Sequence, residues 1–193
     1  MKKTLLVLFA IASTLIAKAD EGMWTLYNLP QAVYQQMKGQ GFDLPYNSIY
    51  KGKDAIMKGV VNFSGYCSGV VVSPDGLVFT NHHCGFEAIR SHSTVEHDYM
   101  KDGFYAKSYA EELPNKDTFV SFMIEQKDIT SELEALGIDK KITIQKEQLI
   151  DSLENVLTRR AKAIDSTYHV NIDPFYEGNK YYATTYQDFT DVR

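Results

Sequence analysis

The sequence predicts a mainly β fold with helices, one of them long and amphipathic. Residues Cys67 to Gly85 read C-S-G-V-V-V-S-P-D-G-L-V-F-T-N-H-H-C-G, two short apolar runs, Gly69–Ser73 and Leu77–Thr80, around a Ser73-Pro74-Asp75-Gly76 turn. Further apolar, aromatic and β-branched runs at Val60–Phe63, Phe119–Ile124, Tyr168–Ile172 and Tyr181–Tyr186 read as strands. Leu149, Ile150, Leu153, Val156, Leu157, Ala161 and Ile164 recur at three- and four-residue spacing, which predicts a helix from about Thr143 to Ile164.

Taken in order, residues 1–19 form an export signal. Lys2 and Lys3 precede an apolar run, Leu5–Ile16, that is short for a bilayer. Ala17-Lys18-Ala19 puts small residues where a signal peptidase reads them, so cleavage between Ala19 and Asp20 is expected; a retained anchor is the alternative. Asp20–Asn28 leads in with Trp24 and Tyr27 as aromatic anchors. Pro30 suits the start of a helix through Lys38, stopped by Gly39 and Gly41, with Val33 and Met37 as its buried stripe.

Lys53–Lys58 reads as a helical turn, and Gly65 and Gly69 bracket Cys67, where the backbone must bend. Gly85–Arg90 reads as one helical turn, which would leave His83 at a strand-to-turn junction facing a cleft. Ser93-Thr94-Val95-Glu96 has the pattern of a capping box, and His92, His97, Asp98 and Asp102 read as surface or cap residues. Glu111–Asn115 is a loop before the strand at 119–124, whose apolar residues fall on both faces. Ser131–Leu136 is a short helix closed by Gly137. Arg159, Arg160 and Lys162 suit the negative end of the long helix, which is expected to cover a barrel edge rather than bind a membrane or a partner. An Asp173-Pro174…Gly178-Asn179 loop joins the last two strands, and Thr190–Arg193 reads as the start of another.

The formal net charge is −5 with no basic run, which argues against nucleic acid or an anionic membrane as the main partner. The two cysteines of an exported chain favour one disulfide over free thiols. Two alternatives stay open. Cys67, His82, His83 and Cys84 have a zinc stoichiometry, although three of them are consecutive and structural zinc ligands are usually spaced. The histidine pair also suits a purely structural role, capping the hairpin by hydrogen bonds to backbone.

A hairpin whose second strand ends on a histidine directly before a half-cystine resembles the first barrel of chymotrypsin-like serine peptidases. Further segments resemble one bacterial branch, the exported dipeptidyl-peptidases of the 7 and 11 type. They are Asp20-Glu21-Gly22-Met23-Trp24, the stretch Gly76–Gly85, His92–His97, Glu112–Asp117 and Thr190–Arg193. The resemblance implies a double β-barrel, of which this chain holds the first barrel, with an added helical domain. It implies that Cys67–Cys84 is the disulfide and that His83 is the catalytic base of a Ser-His-Asp triad. It also implies oligopeptide substrates with a free amino terminus, no cofactor and no metal, and a periplasmic or surface location in a Gram-negative bacterium. A homodimer of the full-length form is a further expectation from the resemblance.

Segments 20–24 and 112–117 resemble the type that prefers acidic residues at the cleavage point. No Gly-Asn-Ser-Gly-Gly or Gly-Asp-Ser-Gly-Gly motif occurs here, and Ser68, inside the hairpin, is no substitute. The triad's aspartate is expected beyond Arg193. The chain is therefore expected to be an amino-terminal part of a peptidase domain, inactive by itself. A non-catalytic exported module that binds peptides or a protein is the rival reading.

Overall fold

Pro30 fixes its own backbone at φ −60° and offers its carbonyl to Tyr34 N at 3.1 Å, which starts helix α1 (Gln31–Gly39). In the computed structural model, residues 24–50 and 54–193 are described; they fall into two compact units, one ending at Asp43 and one running from Leu44 to Arg193. The expected cleavage point at Ala19 and Asp20, residues 20–23, and the start of the turn at Lys53 lie outside the described residues. In the first unit α1 buries Tyr34, flanked by half-buried Val33 and Met37, and Tyr34 meets Phe42 edge-on at 6.3 Å. The buried stripe is thus centred on a tyrosine that the 33/37 spacing skipped. No described helix is long and apolar enough to cross a membrane.

The second unit is one six-stranded antiparallel sheet with helices. Its strands are β1 (Val60–Phe63), β2 (Cys67–Val71), β3 (Val78–Thr80), β4 (Val120–Asp128), β5 (Tyr168–Phe175) and β6 (Lys180–Phe189). They lie in the order β3-β2-β1-β4-β6-β5. Helices α2 (His82–His92), α3 (Tyr99–Asp102), α4 (Thr130–Ala135) and α5 (Thr143–Lys162) complete it. This is the mainly β architecture expected from the sequence, and all six strands start within two residues of their expected starts.

Two apolar clusters hold the sheet. Val61, Phe63, Val120 and Cys84 form one, with Phe122 and Val192 packed against it. Ile129, Leu133, Ile138, Ile172 and Tyr181 form the other, and α5 lays Leu149, Ile150, Leu153 and Leu157 on it. Since β5 is an edge strand of the sheet, α5 covers that edge, as its stripe predicts. Ile164 lies beyond the helix and is 83% exposed, so the stripe ends at Ala161.

Several local expectations are corrected. β4 continues to Asp128, and a bulge between Met123 and Glu125 leaves Ile124 as the extra residue. At the start of the strand the adjacent residues Val120 and Ser121 are both buried, so both faces are covered there and apolar residues fall on both. The expected loop from Asp173 is strand: β5 runs through Pro174 to Phe175, and the chain turns only at Tyr176–Gly178. Pro174 fits because β5 is an edge. Thr190–Arg193 is not strand; Val192 packs on the core and accepts a hydrogen bond from Asn115 N at 2.9 Å. Thr94 Oγ1 does accept from His97 N, at 3.1 Å, but no helix follows it. The next helix, α3, is capped by Asp98, whose carboxylate accepts from Lys101 N.

Gly69 sits where β2 passes between β1 and β3. A Cβ there would lie 2.9 Å from Val78 Cγ1, 3.2 Å from Phe79 O and 3.2 Å from Val61 Cγ2. Backbone and a buried valine cannot give way together, so Gly69→Ala is expected to cost about 1–3 kcal/mol in urea unfolding. A change below about 0.5 kcal/mol would show that the hairpin can shift.

At the start of α4, Asp128 Oδ1 accepts from Thr130 N at 2.9 Å and from Thr130 Oγ1 at 2.5 Å, while Thr130 Oγ1 accepts from the buried Tyr181 N at 3.0 Å. Thr130, first, and Lys180, less, hold the Asp128 carboxyl below its ordinary value. A lowered carboxylate stabilises the fold above its unfolded value and loses that contribution as pH falls through the folded one. Thr130→Val strands the Tyr181 amide, so a loss of about 1–3 kcal/mol is expected at pH 7. The deficit should shrink in acid, where wild type loses the Asp128 contribution too. A pH-independent deficit would contradict the coupling.

Candidate functional site

β3 ends at Thr80, whose Oγ1 donates to Ser68 O at 2.8 Å and ties the two hairpin strands. Asn81 stays extended, at φ −75° and ψ 149°, and its carbonyl accepts from Cys84 N at 2.9 Å. The helix therefore starts at His82, three residues earlier than the sequence suggested, and His83 stands in its first turn rather than at a strand-to-turn junction. Successive helical residues splay by about 100°. Cys84 takes the inward direction and is 3% exposed, while His82 and His83 face solvent.

Two ties fix this turn. Cys84 is bonded to Cys67 at the start of β2, with Cα atoms 6.1 Å apart, and Tyr66 Oη donates to the Cys84 carbonyl at 2.8 Å. With both sulfurs in that bond, the oxidised chain has no thiolates to offer a zinc ion. A ligand nitrogen of His83 lies within 4.8 Å of both sulfurs. Its imidazole hydrogen-bonds to no described residue, so both ring nitrogens are open to groups outside these residues.

The neighbouring histidine points elsewhere. His82 meets Phe86 edge-on at 5.9 Å and lines a cavity of about 740 Å³ with Ile89, His92, Tyr99 and Phe104. The pair therefore does not act as one unit. His92 is half-buried, and its Nε2–H donates to Asn115 Oδ1 at 3.0 Å, which makes it a structural clamp rather than a surface residue. His97 is exposed and stacks on Tyr99. Three of the segments that carry the family resemblance, at 92, 115 and 192, meet at this clamp, so packing accounts for them.

One polar network was not legible in the sequence. Ser121 Oγ donates to Asp188 Oδ1 at 2.6 Å, and His169 Nδ1–H donates to Asp188 Oδ2 at 2.8 Å, with Tyr186 stacked on the imidazole. The three residue types of a triad are present in the wrong order, since the carboxylate stands between serine and histidine. Ser121 is 1% exposed, so no substrate reaches it. Nearby, burial and the Asp173 charge push the Tyr186 phenol up. Loss of water raises the Asp173 carboxyl, although the residue as a whole is exposed. Only register could reveal this network, because its residues are scattered over β4, β5 and β6.

The profile of the Peptidase S46 family matches residues 19–193. The chain is 42% identical to Dipeptidyl-peptidase 7 of Porphyromonas endodontalis over 92% of its own length and 22% of that protein. It is 39% identical to the Asp/Glu-specific dipeptidyl-peptidase of Porphyromonas gingivalis, covering all of this chain and 28% of that one. The crystal structure of Porphyromonas endodontalis DPP11 in complex with the dipeptide Arg-Glu superposes with a TM-score of 0.76. That match has 34% identity and covers 89% of this chain and 26% of the other. The chain thus spans about a quarter of the length of the relatives it matches. From its profile match over nearly every residue and its shared fold, the chain belongs to the Peptidase S46 family.

Proposed function

We propose that the protein carrying this chain is an exported serine dipeptidyl-peptidase in which His83 is the general base. The observation that carries the reading is the placement of His83. It stands in a helical turn tied by Cys67–Cys84 and by Tyr66, exposed, with neither ring nitrogen engaged by a described residue. A proton-transfer group needs that combination of fixed position and open valence.

In this reading a serine hydroxyl supplied by another part of the protein gives its proton to a His83 ring nitrogen as its oxygen attacks the peptide carbonyl. The imidazolium then returns the proton to the departing amine. A carboxylate outside these residues fixes the tautomer, and backbone amides stabilise the oxyanion. Ser121, Asp188 and Asp128 are excluded from these roles by burial or by their existing partners. The 193-residue chain alone holds the base without its nucleophile and is expected to turn over nothing. The compartment is the periplasm or outer surface of a Gram-negative cell, entered after cleavage at Ala19.

For the cleavage point, segments 20–24 and 112–117 support a preference for acidic residues. Both dipeptidyl-peptidase types match the chain at similar identity. A panel of fluorogenic dipeptidyl amides tests the whole reading. Release from Asp- and Glu-terminated dipeptides, abolished by acetylating the substrate amino group, is expected. Release from apolar dipeptides instead would reverse the preference. No release from any member, with the protein folded, would favour a peptide-binding module.

A further inference from the structure

A ligand nitrogen of His83 and the sulfurs of Cys67 and Cys84 lie within 4.8 Å of one another, the one group of three or more metal-ligand side chains so gathered among the described residues. We propose that reduction of the Cys67–Cys84 disulfide converts this corner into a Cys₂His site for a borderline-soft divalent cation such as Zn²⁺. Filling it would lock the imidazole of His83. The sequence objection to zinc was that His82, His83 and Cys84 are consecutive. The fold removes it, because His82 turns to the cavity and the third ligand comes from β2. Zinc–sulfur bonds of about 2.3 Å and zinc–nitrogen bonds of about 2.0 Å hold their ligands about 3.5–3.8 Å apart. The nitrogen, within 4.8 Å of both sulfurs, is about an ångström from that spacing and closes it by rotating an exposed ring. The two sulfurs, bonded to each other in the oxidised chain, must part by well over an ångström once reduced.

The chemistry balances with a dithiol as reductant. It gives two electrons and two protons to the disulfide and leaves as a cyclic disulfide, while Cys67 and Cys84 become thiols. Zn²⁺ then displaces those two protons and takes a His83 nitrogen as third ligand, and water completes the tetrahedron. Cys67 is half-buried and Cys84 buried, so attack reaches the Cys67 sulfur first. The site stands on geometry alone; its consequence for catalysis rests on His83 being the base.

The test uses the full-length natural protein, reduced with a phosphine, desalted without oxygen and titrated with Co²⁺. One equivalent should bring near-ultraviolet thiolate charge-transfer bands and the intense visible bands of a tetrahedral ion. The oxidised protein and Cys67→Ser should lack this spectrum. His83→Ala should bind at least about tenfold more weakly, and His82→Ala as wild type. No tetrahedral spectrum, or equal affinity in His83→Ala, overturns the site. So does a reduced protein that has lost its far-ultraviolet dichroism, since the site requires α2 in place. Zn²⁺ should also inhibit the reduced enzyme and spare the oxidised one. The cobalt spectrum without such inhibition would leave the site standing and contradict the catalytic role.

Discussion

His83→Ala in the full-length protein is expected to lower kcat by about 10⁴-fold or more with KM little changed, because the proton of the nucleophile then has no acceptor. His82→Ala is expected to stay within a few-fold of wild type, since that ring packs on Phe86 away from the disulfide. Steady-state kinetics on a dipeptidyl amide, with a melting curve for each variant, checks both. Equal losses in the two variants with folding intact would remove the distinction drawn between adjacent histidines. Full activity in His83→Ala would remove the base itself.

Replacing the cystine, as Cys67→Ser with Cys84→Ala, is expected to destabilise the fold by about 3 kcal/mol. Closing a loop of 17 residues restrains the unfolded chain by about that much. Cys84 is also a member of the apolar cluster around Val61, Phe63 and Val120, so its truncation loosens the packing under α2. Urea unfolding measures the first effect. Activity should fall more steeply than the folded fraction, because the turn that carries His83 loses one of its two ties. An unfolding midpoint equal to wild type would contradict the structural role of the bond, and activity tracking the folded fraction would show that Tyr66 alone holds the turn.

What the sequence made legible follows from how local each signal is. The hairpin at 67–80 was readable because Pro74, Asp75 and Gly76 demand a turn; Gly76 adopts φ +86°. The 20-residue helix α5 was readable because its stripe, from Leu149 to Ala161, repeats over about three turns. His83 emerged from its place before a half-cystine. The helix that carries it was clipped at Gly85, because a histidine pair, a cysteine and a glycine are poor helix formers. The disulfide and the Tyr66 hydrogen bond override that propensity. The clamp of His92 on Asn115, the bulge at Ile124 and the Ser121–Asp188–His169 network depend on which strands become neighbours. A sheet ordered β3-β2-β1-β4-β6-β5 puts residues 67 positions apart in contact, and no window of sequence contains that information.

In the proposed mechanism His83 activates a serine nucleophile that residues 24–193 do not supply. Its most direct test is the rate at which a fluorophosphonate, which reacts with activated serines, labels the full-length protein. Wild type and His82→Ala should be labelled once, at similar rates, on a serine outside residues 24–193, and His83→Ala should be labelled at least about a thousandfold more slowly. Equal labelling of wild type and His83→Ala, or a label on Ser68 or Ser121, would contradict the account.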